Sequence, residues 1–167
     1  LARKYAAGEG VAQNHKEAVK WFREATEQGD ANAQFYLGRA YHSGKGILQN
    51  HMEAVQWSRK AADQGNADAQ FLLAIKYAAG EGVAENHEEE VKWLKKAAEQ
   101  NHSAFSQFLL ARKYAAGEGV AQNHKEAFKW FREAAEQGEA NAQYRLGGQY
   151  EKGLGVPQNY KEAVKWY

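Results

Sequence analysis

Five tryptophans stand at Trp21, Trp57, Trp93, Trp130 and Trp166, so successive copies lie 36, 36, 37 and 36 residues apart. Tyr5, Tyr41, Tyr77, Tyr114 and Tyr150 keep the same register. So do two glycine series, Gly8, Gly44, Gly80, Gly117 and Gly153, and Gly10, Gly46, Gly82, Gly119 and Gly155. A fixed period of this length constrains the fold more than any other property of the chain. One such unit is too small to bury its own apolar face and must stack on its neighbours. We therefore expect one continuous solenoid over residues 1–167, with units at about 1–29, 30–65, 66–102, 103–138 and 139–167, the first and last partial. Leu1 aligns with Leu37 inside one kind of helix and Tyr167 with Phe22 inside another, so the chain is expected to be a fragment of a longer array.

Each unit reads as two helices. Ala31, Gln34, Leu37, Gly38 and Tyr41 fall on one face of a 3.6-residue helix. Position 38 is small in every copy (Ala2, Gly38, Ala74, Ala111, Gly147), as expected where another backbone comes close. The second helix opens at Asn14 with Glu17 three residues on, repeated at Asn50 and Glu53, Asn86 and Glu89, Asn123 and Glu126, and Asn159 and Glu162. That spacing predicts a capping box with Asn in place of Ser or Thr. Its apolar stripe runs Ala18, Trp21, Phe22, Ala25, which places the tryptophans in the core. Gly29, Gly65 and Gly138 close it with a left-handed cap. A Gly-x-Gly-Val loop joins the two helices, and Val11, Ile47, Val83, Val120 and Val156 are expected to tuck beneath the turn. Helices of about 13 residues joined by short loops give an antiparallel hairpin per repeat.

The block Ala31-x-Ala-Gln-x-x-Leu-Gly-x-x-Tyr41-x-x-Gly-x-Gly46, followed by Ala54-x-x-Trp57-x-x-x-Ala61-Ala-x-Gln-Gly65, resembles the Sel1-like repeat, a relative of the tetratricopeptide repeat. The resemblance runs along the whole chain in nearly five copies. It implies an all-α fold, an α/α superhelical solenoid of helix-turn-helix repeats in which first helices line a concave face. It also implies an adaptor or scaffold that binds a protein or peptide and performs no chemistry of its own, with no cofactor. Some cysteine-rich members of the family are linked to binding β-lactams, which gives an enzyme reading to weigh. This chain departs from that group: it has no Cys, and none of Ser43, Ser58, Ser103 or Ser106 has Lys at the third position after it.

Composition excludes further classes. A net charge of +1 lacks the Lys and Arg excess that phosphate tracking needs, so no nucleic-acid partner is expected. No apolar run approaches the ~18 residues of a membrane span. The loop Gly8-Glu9-Gly10 is no phosphate cradle, since no strand precedes it and Glu9 repels phosphate. His15, His51, His87 and His124 recur once per repeat at a spacing too wide to share a metal, and read as surface residues. His42 and His102 are likewise expected to stand without companion ligands.

The candidate site is the concave face. Positions 35, 39 and 42 form an i, i+4, i+7 line beside the packing face of the first helix. Across repeats this yields an aromatic row, Phe35, Phe71, Phe108 and Tyr144, beside Arg3, Arg39 and Arg112. Asn32, Phe105 and Asn141 occupy one further groove position. Rigid rings flanked by guanidinium groups suit peptide recognition. The alternative is that the rings pack between repeats and the arginines are simply solvated. A second pattern, the basic row Arg23, Arg59, Lys95 and Arg132 with acidic rows beside it, lies on the second helices. It supports the competing reading of a structural spacer with convex-face or end contacts, or merely a solvated face.

Repeat three departs from the others. Glu90 replaces a small residue within Glu88-Glu89-Glu90, and Asn101-His102 replaces the cap glycine while adding one residue, which is expected to alter the local rotation between repeats. Asn101-His102-Ser103 is also an N-glycosylation sequon. Leu1–Ala25 and Leu110–Ala134 match at every position except Val19 against Phe128, so a site in one copy is expected in the other.

Overall fold

The computed structural model describes residues 1–101, leaving aside the side chain of Asn101, and residues 103–167. The sequon and the altered cap of repeat three fall outside these described residues. Among the described residues there are ten α-helices and no strand: α1 (Ala2–Ala7), α2 (His15–Glu27), α3 (Ala31–Ser43), α4 (His51–Asp63), α5 (Ala67–Ala79), α6 (His87–Asn101), α7 (Ala104–Ala116), α8 (His124–Glu136), α9 (Ala140–Lys152) and α10 (Tyr160–Trp166). Seven of them, α2 to α5 and α7 to α9, are 13 residues long, the length expected from the repeat. The chain forms two compact units, Leu1–Glu85 with α1 to α5 and Asn86–Tyr167 with α6 to α10.

Each second helix starts where an Asn side chain can satisfy orphan backbone donors. Asn50 Oδ1 accepts from the N–H groups of Met52 at 3.0 Å and Glu53 at 3.1 Å, and Asn123 does the same for Lys125 and Glu126. The reciprocal half of the expected capping box is absent at these sites. The N–H of Asn50 donates instead to the carbonyl of Tyr41 at 2.9 Å, as Asn14 does to Tyr5, Asn123 to Tyr114 and Asn159 to Tyr150. That leaves the Glu three residues on for another partner. Glu53 and Glu89 accept from the indole Nε1 of Trp57 and Trp93 at 3.1 and 3.0 Å. The backbone carbonyl at this position thus ties the end of the first helix to the start of the second, while the Tyr ring packs on the core and the Tyr41 and Tyr77 hydroxyls accept from Arg23 and Arg59.

In the first unit, Ala33, Leu37 and Ala40 of α3 pack with Ala18, Val19 and Phe22 of α2, and Tyr5, Tyr41 and Ile47 close over them. The small residue at position 38 is required as expected: a Cβ on Gly38 would stand 2.8 Å from Ser58 Oγ and 3.1 Å from the carbonyl of Ala54 on α4. A glutamine pair ties the two helices of a repeat together. Gln64, exposed at the end of α4, donates to the buried Gln34 of α3 at 2.8 Å in the first unit, and Gln137 after α8 to the buried Gln107 of α7 at 2.6 Å in the second.

The tryptophans do not share one environment, which corrects their uniform placement in the core. Trp93 and Trp130 are 2% and 5% exposed, Trp57 and Trp166 are half-buried, and Trp21 is 38% exposed. At about 100° per residue the buried face of α2, centred on Ala18, Val19 and Phe22, leaves position 21 on its flank. In α8 the buried face is turned toward Ala127, Trp130 and Ala134, which carries the indole inside.

The two glycines of the Gly-x-Gly loop have different tasks. The first is the left-handed cap of the first helix, as at Gly44 (φ 70°). The second meets the preceding repeat. A Cβ at Gly46, Gly82, Gly119 or Gly155 would fall 2.0–2.2 Å from the carbonyl oxygen of His15, His51, His87 or His124 respectively. The recurring histidines therefore mark a contact between repeats and are not a free surface row: His15, His51 and His124 are half-buried.

Candidate functional site

A groove of about 580 Å³ opens on the first unit. Its walls are Phe35, Tyr36, Arg39 and His42 of α3, Asp68, Phe71 and Leu72 of α5, and Ala18, Val19 and Phe22 of α2. Three expected site residues, Phe35, Arg39 and Phe71, are brought together there. Phe35 is only 8% exposed, so most of its ring serves packing and one edge faces the groove. Phe71 is half-buried. The Arg39 guanidinium lies 5.7 Å from the Phe35 ring and 6.0 Å from Tyr36, and Arg3 approaches the same Tyr36 ring at 5.7 Å. Asn32 stands apart, exposed and accepting from the Asn66 amide at 2.9 Å.

The second unit carries its own cavities. One of about 440 Å³ is lined by Arg112, His124, Phe131, Tyr144, Arg145, Gly148, Glu151 and Leu154. Beside it Phe108, Arg112, Asn141, Tyr144 and Arg145 enclose about 500 Å³. Four expected site residues thus meet here. Arg112 sits 5.9 Å from the Phe108 ring, itself packed on Phe131 at 5.9 Å and 7% exposed, while Tyr144 is 66% exposed. Phe105 is half exposed beside Phe108, ring centroids 6.5 Å apart. The packing alternative therefore holds in part: Phe35 and Phe108 are mainly core, and Tyr144 is not.

The two grooves occupy equivalent places on repeats three periods apart. Phe35, Tyr36, Arg39, His42 and Lys45 of one correspond to Tyr144, Arg145, Gly148, Glu151 and Leu154 of the other. Where Gly148 has no guanidinium, Arg145 and Arg112 supply two. The single difference in the duplicated block matters locally, since Val19 lines the first groove and Phe128 packs edge-on against Tyr150 at 5.3 Å. Tyr36, Leu72 and Arg145 join the grooves without being expected from the sequence. They share one repeat position that reads Tyr36, Leu72, Leu109 and Arg145, so no recurring polar or aromatic residue flags it.

Charge is distributed unequally between the two helical faces. On the second helices Arg23 and Arg59 hydrogen-bond the hydroxyls of Tyr41 and Tyr77, Arg132 pairs with Glu136 at 2.7 Å, and Lys95 lies 3.9 Å from Glu99. That row is engaged within the chain. Among the described residues Arg39 and Arg112 form no ion pair; both are exposed over aromatic rings, and the Arg112 charge also acts on the Glu118 carboxylate.

Beneath the first groove lies a cluster that corrects the expectation of a solitary His42. Its Nδ1 is 2.7 Å from Lys76 Nζ and 4.0 Å from Glu81 Oε2, and its ring is 5.5 Å from that of His51. Lys76 is 1% exposed and donates to Glu81 at 2.5 Å. The Lys76 ammonium thus lies within hydrogen-bond distance of both the His42 imidazole and the Glu81 carboxylate. The second unit builds a counterpart with different parts. Lys113 donates to Glu90 at 2.9 Å and Glu118 at 3.1 Å, and His87 Nδ1 is 2.8 Å from Glu90. Glu90, the odd residue of repeat three, is thus the buried counter-ion of a lysine.

Among the described residues no helix is long and apolar enough to cross a membrane. No curated protein sequence matches the chain. The family model for the Sel1 repeat matches residues 1–30, 31–66, 67–102, 104–139 and 140–167. Among solved structures, a protective antigen of uropathogenic Escherichia coli with an SLR fold is 35% identical, with a TM-score of 0.93 over 99% of this chain. The chain spans 35% of that protein's length. A Sel1 repeat protein from Oxalobacter formigenes is 36% identical with a TM-score of 0.91, over 99% of this chain and 68% of that one. Cysteine-rich protein B of Helicobacter pylori, 24% identical over 81% of this chain and 97% of that one, shares the fold at a TM-score of 0.59. Sel1 repeats generally act as non-catalytic protein-interaction modules. With five matched copies and all-helical repeat solenoids as its neighbours, the chain belongs to the Sel1-repeat family.

Proposed function

We propose that this chain is an interaction scaffold that holds an extended, acidic segment of a partner protein against the first-helix grooves. The observation that carries the reading is the guanidinium asymmetry. Arg39 and Arg112 lie over aromatic rings at the groove walls and form no ion pair among the described residues, whereas the second-helix basic row is engaged. A guanidinium held on a ring keeps its forked donors pre-oriented for a carboxylate. Tyr36, Leu72 and Tyr144 add apolar area for the segment's intervening side chains. The contribution of Asn32, Phe105 and Asn141 to the same surface is part of the proposal. A convex-face spacer has less support, because its basic row is already satisfied.

The test is fluorescence anisotropy against a peptide array graded in net charge, with the wild type and Arg39→Glu/Arg112→Glu. Acidic peptides bind the wild type in a salt-sensitive manner. The double reversal abolishes binding and leaves the thermal midpoint nearly unchanged. Equal binding by both proteins overturns the groove reading.

A further inference from the structure

The cluster of His42, His51, Lys76 and Glu81 lies wholly in the first unit and joins α3, α4, α5 and the loop after α5. Its centre is an ammonium at 1% exposure, a group that is stable there only while every hydrogen bond it donates finds an acceptor. Two acceptors are visible. Glu81 takes one hydrogen bond at 2.5 Å, and His42 Nδ1 takes another at 2.7 Å. The imidazole accepts only while Nδ1 carries a lone pair. Once protonated it presents N–H to N–H⁺, with two positive charges at hydrogen-bond distance.

We propose that His42 is an acid-sensitive latch: its protonation breaks the contact with Lys76 and loosens the end of α5 from α3 in the first unit alone. The groups facing His42 set the balance. Lys76 from α5 and His51 from α4 oppose protonation, and Glu81 from the following loop favours it. Around the same groove stand His15 on α2, Arg39 on its own helix, Lys45 just beyond it, and Asp68 at the start of α5. Burial first, and then the Lys76 charge, hold the imidazole below its ordinary 6.5, outweighing Glu81. The sign follows from that direction. The folded state resists a proton that the unfolded chain accepts, so stability is complete above the ordinary value and is lost as pH falls below it.

The second unit provides an internal contrast. There the lysine's acceptor is Glu90, a carboxylate, and the neighbouring His87 faces that carboxylate at 2.8 Å. Protonating His87 adds a favourable charge pair and removes no acceptor from Lys113. The two lysine networks should therefore respond to mild acid in opposite senses, and this holds whether or not the groove binds a partner.

Equivalent reporters exist in both units. The Glu81 N–H donates to the Lys76 carbonyl and the Glu118 N–H to the Lys113 carbonyl, each at 3.2 Å. Hydrogen exchange on the full chain, corrected for the intrinsic pH dependence, is measured from pH ~7.5 to ~5. Protection at Glu81 falls about tenfold, the low end of the cost of depriving a buried charged donor of its acceptor. Protection at Glu118 holds or rises. His42→Gln, whose amide oxygen still accepts from Lys76, removes the fall. Glu81→Gln, lacking the anion that favours protonation, moves it to lower pH, and this gives an independent readout if His42→Gln does not fold. Parallel behaviour of the two reporters overturns the latch, as does a fall that survives in His42→Gln or fails to move in Glu81→Gln.

Discussion

Replacing Gly119 by alanine adds one methyl group where the chain turns between α7 and α8, and the structure separates what that methyl costs into two parts. The first part is backbone. Gly119 has φ 71°, and an L-residue with a Cβ costs about 1–2 kcal/mol there. The second is contact. The new Cβ would lie 2.0 Å from the His87 carbonyl oxygen and 2.4 Å from its carbon, backbone atoms that cannot swing aside. Relief requires the loop to withdraw from α6, with an overpacking cost of about 1–3 kcal/mol. Gly10→Ala isolates the first part, because Gly10 has φ 73° and nothing within 4 Å of the place its methyl would take. Urea unfolding followed by circular dichroism should place Gly10→Ala about 1–2 kcal/mol below wild type and Gly119→Ala roughly 2–5 kcal/mol below it. Each additional kcal/mol should lower the thermal midpoint by about 2–4 °C in a chain of this size. If the two variants unfold within about 0.5 kcal/mol of each other, the contact between loop and preceding repeat contributes nothing and the reasoning fails.

The tryptophans offer a graded test of burial: Trp93→Ala should cost about 3–5 kcal/mol, and Trp21→Ala, 38% exposed, clearly less, by the same denaturation assay. Lys113 is opposed by burial but held above its ordinary 10.5 by hydrogen bonds to Glu90 and Glu118. The stability it contributes is therefore complete below that ordinary value and lost as pH rises through the raised one, so alkaline thermal scans of wild type and Lys113→Met should converge at high pH. Glu90→Ala restores the small residue of the other copies yet leaves Lys113 with Glu118 as its remaining carboxylate; it should lower the thermal midpoint, measured by calorimetry.

The features legible in the sequence are those that repeat with the chain. Asn50 at the helix start, Gly44 at the helix end and Leu37 on the packing face follow from local propensity and period, and the structure has them where the spacing places them. What escapes depends on how one helix meets another, within a repeat or across the joint between two. The N–H of Asn50 finds the Tyr41 carbonyl, so the expected box is only half built. Gly46 reads as punctuation until its approach to His15 is visible. Lys76 sits in an ordinary helical run, and only stacking brings it between His42 and Glu81. The groove shows the same division: Phe35, Arg39 and Arg112 stand out because they recur, while Tyr36 and Arg145 do not because their position passes from Tyr through Leu to Arg.

The glycine that rests on the preceding repeat's first carbonyl bears on how such arrays change length. Repeat three carries one residue more than its neighbours, and α6, at 15 residues, runs two longer than the 13 of α2, α4 and α8. Yet the approach of Gly119 to His87, on the far side of that insertion, is 2.0 Å, the same as that of Gly155 to His124 where nothing is inserted. Spacing is thus gauged across the interface and not counted along the backbone. The end of the second helix behaves as slack, able to take up a residue without propagating an error, whereas the Gly-x-Gly turn acts as the gauge. Drift in repeat length should accumulate in the slack segment, and an array can lengthen by copying whole blocks, as Leu1–Ala25 and Leu110–Ala134 record, without refitting every joint.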